Sequence, residues 1–106
     1  MRITIKATKL ELTPAVSAYI EQKIGLLVKF IQDLDKEGAV ECRIEIARIT
    51  KHHNKGPVYK AEANLRLPGK LLRAEHIDWN IRRCVDEIKD ELQCQIKKYK
   101  ALTNRR

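Results

Sequence analysis

The sequence lacks the features of a membrane protein and of a protein held together by its cysteines. It has no apolar run near the roughly 20 residues that span a bilayer, and its N-terminus alternates instead of forming a signal-peptide block. Its three cysteines are an odd number without a Cys-x-x-Cys spacing, which argues against a disulfide framework or a zinc knuckle. We therefore expect a soluble, cytoplasmic protein with reduced thiols.

The sequence also lacks the motifs of common enzyme classes. It contains no Gly-x-Ser-x-Gly elbow, no glycine-rich phosphate loop and no His-Glu-x-x-His pair. Cys84 and His76 can be imagined as a thiol–base pair, but Cys84 falls at the edge of a helical apolar stripe, where a buried thiol is the ordinary role. We predict that the protein is not an enzyme and has no catalytic residue, cofactor or small-molecule substrate.

What the chain does have is positive charge. Its 106 residues are the size of one domain, and they carry 22 Lys and Arg against 14 Asp and Glu, a net charge of +8. Most of the excess follows the first 40 residues, which carry six basic and five acidic side chains. This balance favours a polyanionic partner, either nucleic acid or an anionic membrane face.

Hydrophobic periodicity predicts a strand and then a helix in the first third of the chain. Residues 2–7 alternate with period 2, which places Ile3, Ile5 and Ala7 on a buried face. A helix of about five turns should begin at a Thr13 cap, because an apolar residue recurs at steps of three and four from there.

The rest of the chain predicts three more strands and a second, longer helix. Alternation marks strands over residues 40–47 and 59–67, and a short fourth strand follows a tight turn. Asp78 or Asn80 should cap the helix. Its apolar stripe consists of Ile81, Val85, Ile88, Leu92, Ile96 and Tyr99.

The order β-α-β-β-β-α predicts an α+β fold. Because each element has a single apolar side, we expect a two-layer sandwich in which two helices pack on one face of a four-stranded sheet. The other face should be charged and lack the aromatic side chains on which an RNA-binding sheet stacks bases. Its predicted residues are Thr4, Lys6, Arg43, Glu45, Lys60, Glu62, Asn64, Arg66 and Arg73.

Residues 50–60, TKHHNKGPVYK, join the second and third predicted strands. Adjacent side chains in extended chain point in opposite directions, so His52 and His53 are poorly placed to share a metal ion, and no other ligand completes a set. We predict a polar hairpin tip without a metal site. The residues predicted to touch phosphates there, in a secondary role, are Lys51, Lys55 and Lys60.

The second predicted helix carries a line of basic and polar side chains beside its apolar stripe. Asp86, Asp90 and Glu91 dilute the charge on its outer surface, but residues 93–106 contain no acid. The residues predicted to contact a polyanion through this helix are Arg82, Lys89, Gln93, Lys97, Lys98 and Lys100.

Three segments carry the motifs of a known family. Residues 59–65, YKAEANL, are like its third strand, Val85-Asp86 is like its Ile-Asp pair, and residues 92–100 are similar to its Leu-x-x-Gln-Leu-x-Lys-x-Lys ending. With the element order, these segments make nearly the whole chain resemble the ribosome hibernation-promoting factor and ribosome-associated inhibitor family, in its short form. At Glu91 and Cys94 the family commonly has a basic residue, and at Arg82 an aromatic one.

The resemblance implies a double-stranded-RNA-binding-like fold that lies against rRNA in the decoding channel of the small ribosomal subunit. There it would inhibit translation by blocking tRNA and mRNA through occupancy. It also implies one ribosome-binding domain over residues 1–106, without the C-terminal ribosome-pairing domain of the long form, and no membrane partner. We expect a monomer off the ribosome, because both helices use their apolar stripes on the sheet. A general structured-RNA-binding module without ribosome specificity is the alternative.

Overall fold

The fold is an α+β sandwich, as predicted. The computed structural model describes residues 1–35, 38–49 and 58–103. Its strands are β1 (Arg2–Thr8), β2 (Glu41–Ile49), β3 (Val58–Leu67) and β4 (Lys70–Asp78). Its helices are α1 (Pro14–Gly25), α2 (Val28–Ile31) and α3 (Ile81–Thr103).

The four strands form one mixed sheet in the order β1-β2-β3-β4. β1 runs parallel to β2, with Ile3 opposite Cys42, whereas β2, β3 and β4 are joined by antiparallel pairing. A parallel pair needs a long crossover connection, and α1 and α2 lie within it. The two edges of the sheet are therefore β1 and β4.

The predicted first helix is correct at its start but is interrupted near its middle. The Thr13 hydroxyl accepts a hydrogen bond from the Val16 amide at 3.2 Å, which caps α1. α1 ends at Gly25, a weak helix former, and the next two amides bond to carbonyl oxygens only three residues back, at 3.2 and 3.0 Å. The single turn of α2 follows, with Ile31 still buried.

The helices pack on one face of the sheet, and the core lies between the two layers. Ile44, Ala63 and Leu65 are among the core residues from the strands, as their alternation predicts. Ala7 was predicted on this buried face but is exposed, because β1 is an edge strand with a neighbour on one side only. On the other face the predicted polar residues are exposed or half-buried.

β4 is longer than the predicted short strand, with nine residues. Leu72 and Ala74 face the core, and His76 stands opposite buried Ala61 on the same face. The alternate residues Leu71 and Ile77 are 48% and 42% exposed, near the two ends of the outer face of β4.

α3 begins at the cap Asn80, one of the two predicted alternatives. Its side-chain oxygen accepts hydrogen bonds from the amides of Arg82 at 2.9 Å and Arg83 at 3.4 Å. The Asp78 carboxylate accepts one from the Asn80 amide at 3.0 Å and so fixes the entry to the helix. Among the helices in the described ranges, none is both long and apolar enough to cross a membrane.

Candidate nucleic-acid interface

α3 has one apolar side, and its acidic residues are confined to its first half. Five buried residues, Cys84, Val85, Ile88, Leu92 and Ile96, face the core. Residues 81–91 carry three basic and four acidic side chains, whereas residues 92–103 carry three lysines and no acid. The second half of α3 therefore presents the concentrated positive charge of the helix.

A lysine from α2 joins this charge. The ammonium groups of Lys97 and Lys29 lie 5.5 and 5.2 Å from the centre of the same Phe30 ring. Both distances are within cation–π range, so the half-buried ring holds two cations beside each other. We call Lys29, Lys97, Lys98 and Lys100 the lysine cluster.

Lys29 was not predicted from the sequence. The sequence shows only that it lies on the polar side of a helix, and nothing in it indicates that α2 packs beside the end of α3. The position of Lys29 beside the end of α3 follows only from the tertiary structure.

Within the lysine cluster, Lys100 differs from Lys97 and Lys98. Its ammonium donates hydrogen bonds to the Phe30 carbonyl oxygen and to Asp33 Oδ1, both at 3.1 Å. Lys97 and Lys98 are exposed. A polyanion would thus meet Lys97 and Lys98 first, with part of the charge of Lys100 already compensated.

Lys89 and Gln93, in the middle of the predicted line, contact each other. The Lys89 ammonium donates to Gln93 Oε1 at 2.6 Å and lies 3.6 Å from Asp90 Oδ1. The Lys89 side chain is only 14% exposed. These two residues are thus less accessible to a partner than the lysine cluster.

Arg82 lies at the other end of the predicted line, over α1. Its guanidinium is 5.5 Å from the centre of the Tyr19 ring. The Tyr19 hydroxyl donates to Asp86 Oδ1 at 2.5 Å, and Lys23 lies 3.6 Å from the same oxygen. The hydrogen bond to Asp86, with a smaller effect of burial, raises the pKa of Tyr19. Arg82 is therefore part of a local network between α1 and α3.

Lys60 lies on the outer face of the sheet, away from the helices, because its neighbour Ala61 faces the core. Its ammonium is 3.4 Å from Glu75 Oε2. The other predicted residues of this stretch, Lys51, Lys55 and the two histidines, lie outside the described residues. Lys60 therefore lies on the opposite side of the sheet from the lysine cluster.

The outer face of the sheet carries paired charges. A groove of about 480 Å³ runs between Lys6, Arg43 and Asn64. Arg43 donates to Glu41 at 2.6 Å and Arg73 donates to Glu62 at 2.6 Å. Because carboxylates are interspersed among its cations, whereas residues 92–103 of α3 hold none, this face suits a polyanion less than the lysine cluster does.

The thiol–base pair considered above gains no support from the geometry. The Cys84 thiol is buried and donates to the Tyr59 carbonyl oxygen at 3.6 Å, and burial, with the charge of Asp78 adding to it, raises its pKa to about 11. His76 lies 3.5 Å from Asp78. A thiolate nucleophile is therefore disfavoured. Within the described residues, no group of three or more His, Cys, Asp or Glu side chains is arranged to hold a metal ion.

The amino-acid sequence is similar to those of known proteins. A family model described as Sigma 54 modulation protein / S30EA ribosomal protein matches residues 3–103. The ribosome hibernation promotion factor of Lactococcus lactis subsp. cremoris is 30% identical over 108 residues, which cover 100% of this chain and 53% of that protein. The protein of the same name from Staphylococcus aureus is 28% identical, with 100% and 52% covered. The chain spans about half the length of these curated relatives.

Two solved structures share the fold. The crystal structure of the Thermus thermophilus Protein Y N-terminal domain matches with a TM-score of 0.74 and 26% identity, over 93% of this chain and 99% of that one. A ribosomal subunit interface protein from Coxiella burnetii matches with a TM-score of 0.71 over 95% of this chain and 99% of that one. At 22% identity, the second match supports the fold alone.

Proposed function

Because this chain belongs to the family described as Sigma 54 modulation protein / S30EA ribosomal protein, we propose that it is a cytoplasmic ribosome hibernation factor that inhibits translation. It binds rRNA of the small subunit in the decoding channel and blocks tRNA and mRNA by occupancy. Occupancy requires a surface for rRNA and no bond-making step. The predicted absence of a ribosome-pairing domain stays a prediction.

The observation that carries this proposal is the lysine cluster. Residues 92–103 hold their three lysines on a rigid helix without an acid, and Lys29 adds a fourth cation beside them. Closely spaced phosphates of rRNA match such a surface, because docking several ammonium groups releases several condensed counterions at once. The outer face of the sheet instead mixes its cations with the carboxylates of Glu41, Glu45, Glu62 and Glu75, and three of those cations are paired with them.

The contacts we propose are graded along α3. Lys97 and Lys98 make the main phosphate contacts, because both are exposed at the acid-free end. Lys100 contributes charge while keeping its hydrogen bonds to Phe30 and Asp33. Arg82, about 22 Å away at the helical rise per residue, reaches a separate phosphate. Lys89 and Gln93 support the surface from within.

Sedimentation through a sucrose gradient at low salt tests the proposal. The parent protein should appear with the small-subunit and whole-ribosome peaks and should inhibit in-vitro translation. Lys97→Glu/Lys98→Glu should lower ribosome affinity by roughly tenfold or more, since two phosphate contacts become repulsions. The matched control is Lys6→Glu/Arg66→Glu, which makes the same charge change on exposed residues of the sheet.

The control should bind as the parent does. A parent protein that stays at the top of the gradient would refute the function itself. If the double variant of α3, shown to be folded by circular dichroism, binds and inhibits like the parent, the lysine cluster is not the contact surface.

A general structured-RNA-binding module is the second candidate, and one observation favours it. The lysine cluster consists of ammonium groups, which contact phosphate as point charges and carry no direct sequence information. Competition with a short RNA duplex separates the two candidates. Equal affinity for the duplex and for the small subunit would favour the general module.

A further inference from the structure

Trp79 is the exposed exception among the aromatic residues. The chain has three Tyr, one Phe and one Trp, and all five lie in the described ranges. The other four, Tyr19, Phe30, Tyr59 and Tyr99, are partly buried and pack against the core. Trp79 is 59% exposed. An indole in this position leaves a large, flat apolar surface in water, and a flat partner would remove it from water.

Trp79 stands at an apolar end of the outer sheet face. Ile77, two residues earlier, is 42% exposed on this face. Val58 is only 4% exposed, and the strand register puts it on the outer face, opposite Ile49. β4 ends at Asp78, which pairs with Tyr59, so Trp79 directly follows this end of the sheet. The described part of the outer face is elsewhere mainly polar and charged.

The size of this apolar surface favours a small flat ligand. Among the described residues at this end, Trp79 and Ile77 are the exposed large apolar side chains, and Ile49 is half-buried on the same face. A stable protein interface buries on the order of 800 Å² on each partner, far more than these three side chains offer. A single nucleobase needs one aromatic ring to stack on and an apolar neighbour beside it.

The charges around Trp79 suit the phosphates that accompany a base. Arg82 and Arg83 are exposed in the first turn of α3, and Lys60 stands opposite Ile77 on the neighbouring strand. The carboxylates nearby are Asp78 and Glu75, and Glu75 pairs with Lys60. Arg82 and Arg83 are both exposed, so a phosphate can reach them.

We propose that Trp79 is a stacking site for an unpaired nucleobase of the RNA that this protein binds. The inference rests on the proposed function and adds a base contact to a surface otherwise built for phosphates. The base lies on the indole ring beside Ile77, and its phosphate lies towards Arg82 and Arg83. Lysine-cluster binding and Trp79 stacking thus engage the RNA from α3 and from the end of the sheet.

Intrinsic fluorescence tests the stacking directly, because Trp79 is the single tryptophan. The purified chain is titrated with oligouridylate and, as the matched control, with an abasic oligonucleotide of the same length and charge. Oligouridylate should quench the emission, while the abasic strand should leave it nearly unchanged. Equal quenching by both strands, or no quenching when filter binding shows saturation by oligouridylate, overturns the proposal.

Variants extend the test to the ribosome. Trp79→Ala and Trp79→Leu should each weaken small-subunit binding by roughly tenfold, and Trp79→Phe by much less, since stacking needs an aromatic ring. Leu71→Ala removes a comparably exposed apolar side chain at the other end of β4 and should bind as the parent does.

Each other result has a defined meaning. If Trp79→Ala binds the small subunit as the parent does, the proposal is wrong. If Trp79→Ala binds weakly but Trp79→Leu binds as the parent does, the proposal is also wrong, because Trp79 then contacts an apolar protein surface and no base. If the parent binds no ribosomes, the proposed function fails, and the two oligonucleotide titrations still decide whether Trp79 stacks on a base.

Discussion

The Lys100 ammonium donates to the carbonyl oxygen of Phe30, 70 positions earlier in the chain, at 3.1 Å. The same lysine bonds to Asp33, so the end of α3 is tied to the segment around α2 by its own candidate RNA-binding residue. This contact lies beside the Phe30 ring, which both Lys97 and Lys29 approach within cation–π distance. The shape of the lysine cluster therefore depends on the fold as well as on the charge of α3.

Lys100→Ala should lower the free energy of unfolding by about 1 kcal/mol, because two charge-assisted but partly exposed bonds are lost. Lys98→Ala, on an exposed face of the same helix, should change it by less than about 0.5 kcal/mol. Urea denaturation followed by circular dichroism measures both. Equal stability of the two variants would show that the Lys100 contacts contribute nothing.

Lys98→Ala should weaken small-subunit binding modestly and reduce the slope of log affinity against log salt by about one unit or less. The physical reason is the loss of one phosphate contact and of the counterion it releases. Affinities at several potassium chloride concentrations give the slope. Lys6→Ala is the control, and an identical slope for the parent and Lys98→Ala would remove Lys98 from the interface.

Tyr19→Phe keeps the ring beneath Arg82 but removes the hydroxyl that donates to Asp86. We expect a loss of about 1 kcal/mol in the free energy of unfolding, since the Asp86 carboxylate loses a donor. Tyr99→Phe is a matched control whose hydroxyl bonds to the Pro68 carbonyl oxygen in an exposed position. It should cost less, and thermal or urea unfolding of both variants checks the difference.

The three cysteines should react at different rates. Cys94 is exposed, whereas Cys42 and Cys84 are buried, and burial raises their thiol pKa values to about 12 and about 11. Ellman's reagent at pH about 8 should therefore label one thiol quickly in the folded protein and three in denaturant. Cys94→Ser should abolish the fast phase. Rapid labelling that persists in that variant would contradict the buried positions.

Asp78 should make stability fall in acid. The Asn80 amide, with further help from Arg83 and His76, holds the pKa of this carboxyl below its usual range. A folded-state pKa below the unfolded one contributes stability that is present above the unfolded pKa, about 3.9, and is lost as pH falls through the folded pKa. Between pH 6 and lower pH, the free energy of unfolding should fall less for Asp78→Asn than for the parent, as urea denaturation at each pH would show. Glu87→Gln serves as the control for removing a carboxylate from the same end of α3.

Much of the fold could be predicted because its strands and helices bury one side each. Alternation located β2 and β3, and the 3.6-residue stripe located α3. The helix break after Gly25 could not be predicted from the sequence. The buried residues around it, Ile24, Leu27 and Ile31, keep the steps of three and four that a continuous helix would show. Ala7 fits its alternation but is exposed, since a pattern does not say which strand lies at an edge.

The candidate site was predictable in its charge and not in its contacts. The acid-free end of α3 is visible in the sequence, and Lys97 and Lys98 are exposed there. The pairing of Lys89 with Gln93 and the packing of Lys29 over Phe30 depend on side-chain directions and on neighbours distant in the chain. Binding of rRNA by the predicted residues is a prediction that the charge-reversal variants test.

The parallel pairing of β1 and β2 also bears on how the molecule forms. β2, β3 and β4 can zip together through connections between chain neighbours, whereas Arg2 meets Glu41 only after a crossover that contains two helices. Closing that larger loop costs more chain entropy before its contacts repay it. We therefore expect β1 to join a preformed three-stranded meander late in folding and, as an edge strand, to open first in the native state. The backbone amides of β1 should exchange with deuterium before those of β3. Ribosome binding should slow the exchange of the β1 amides only if docking stabilises the whole sheet.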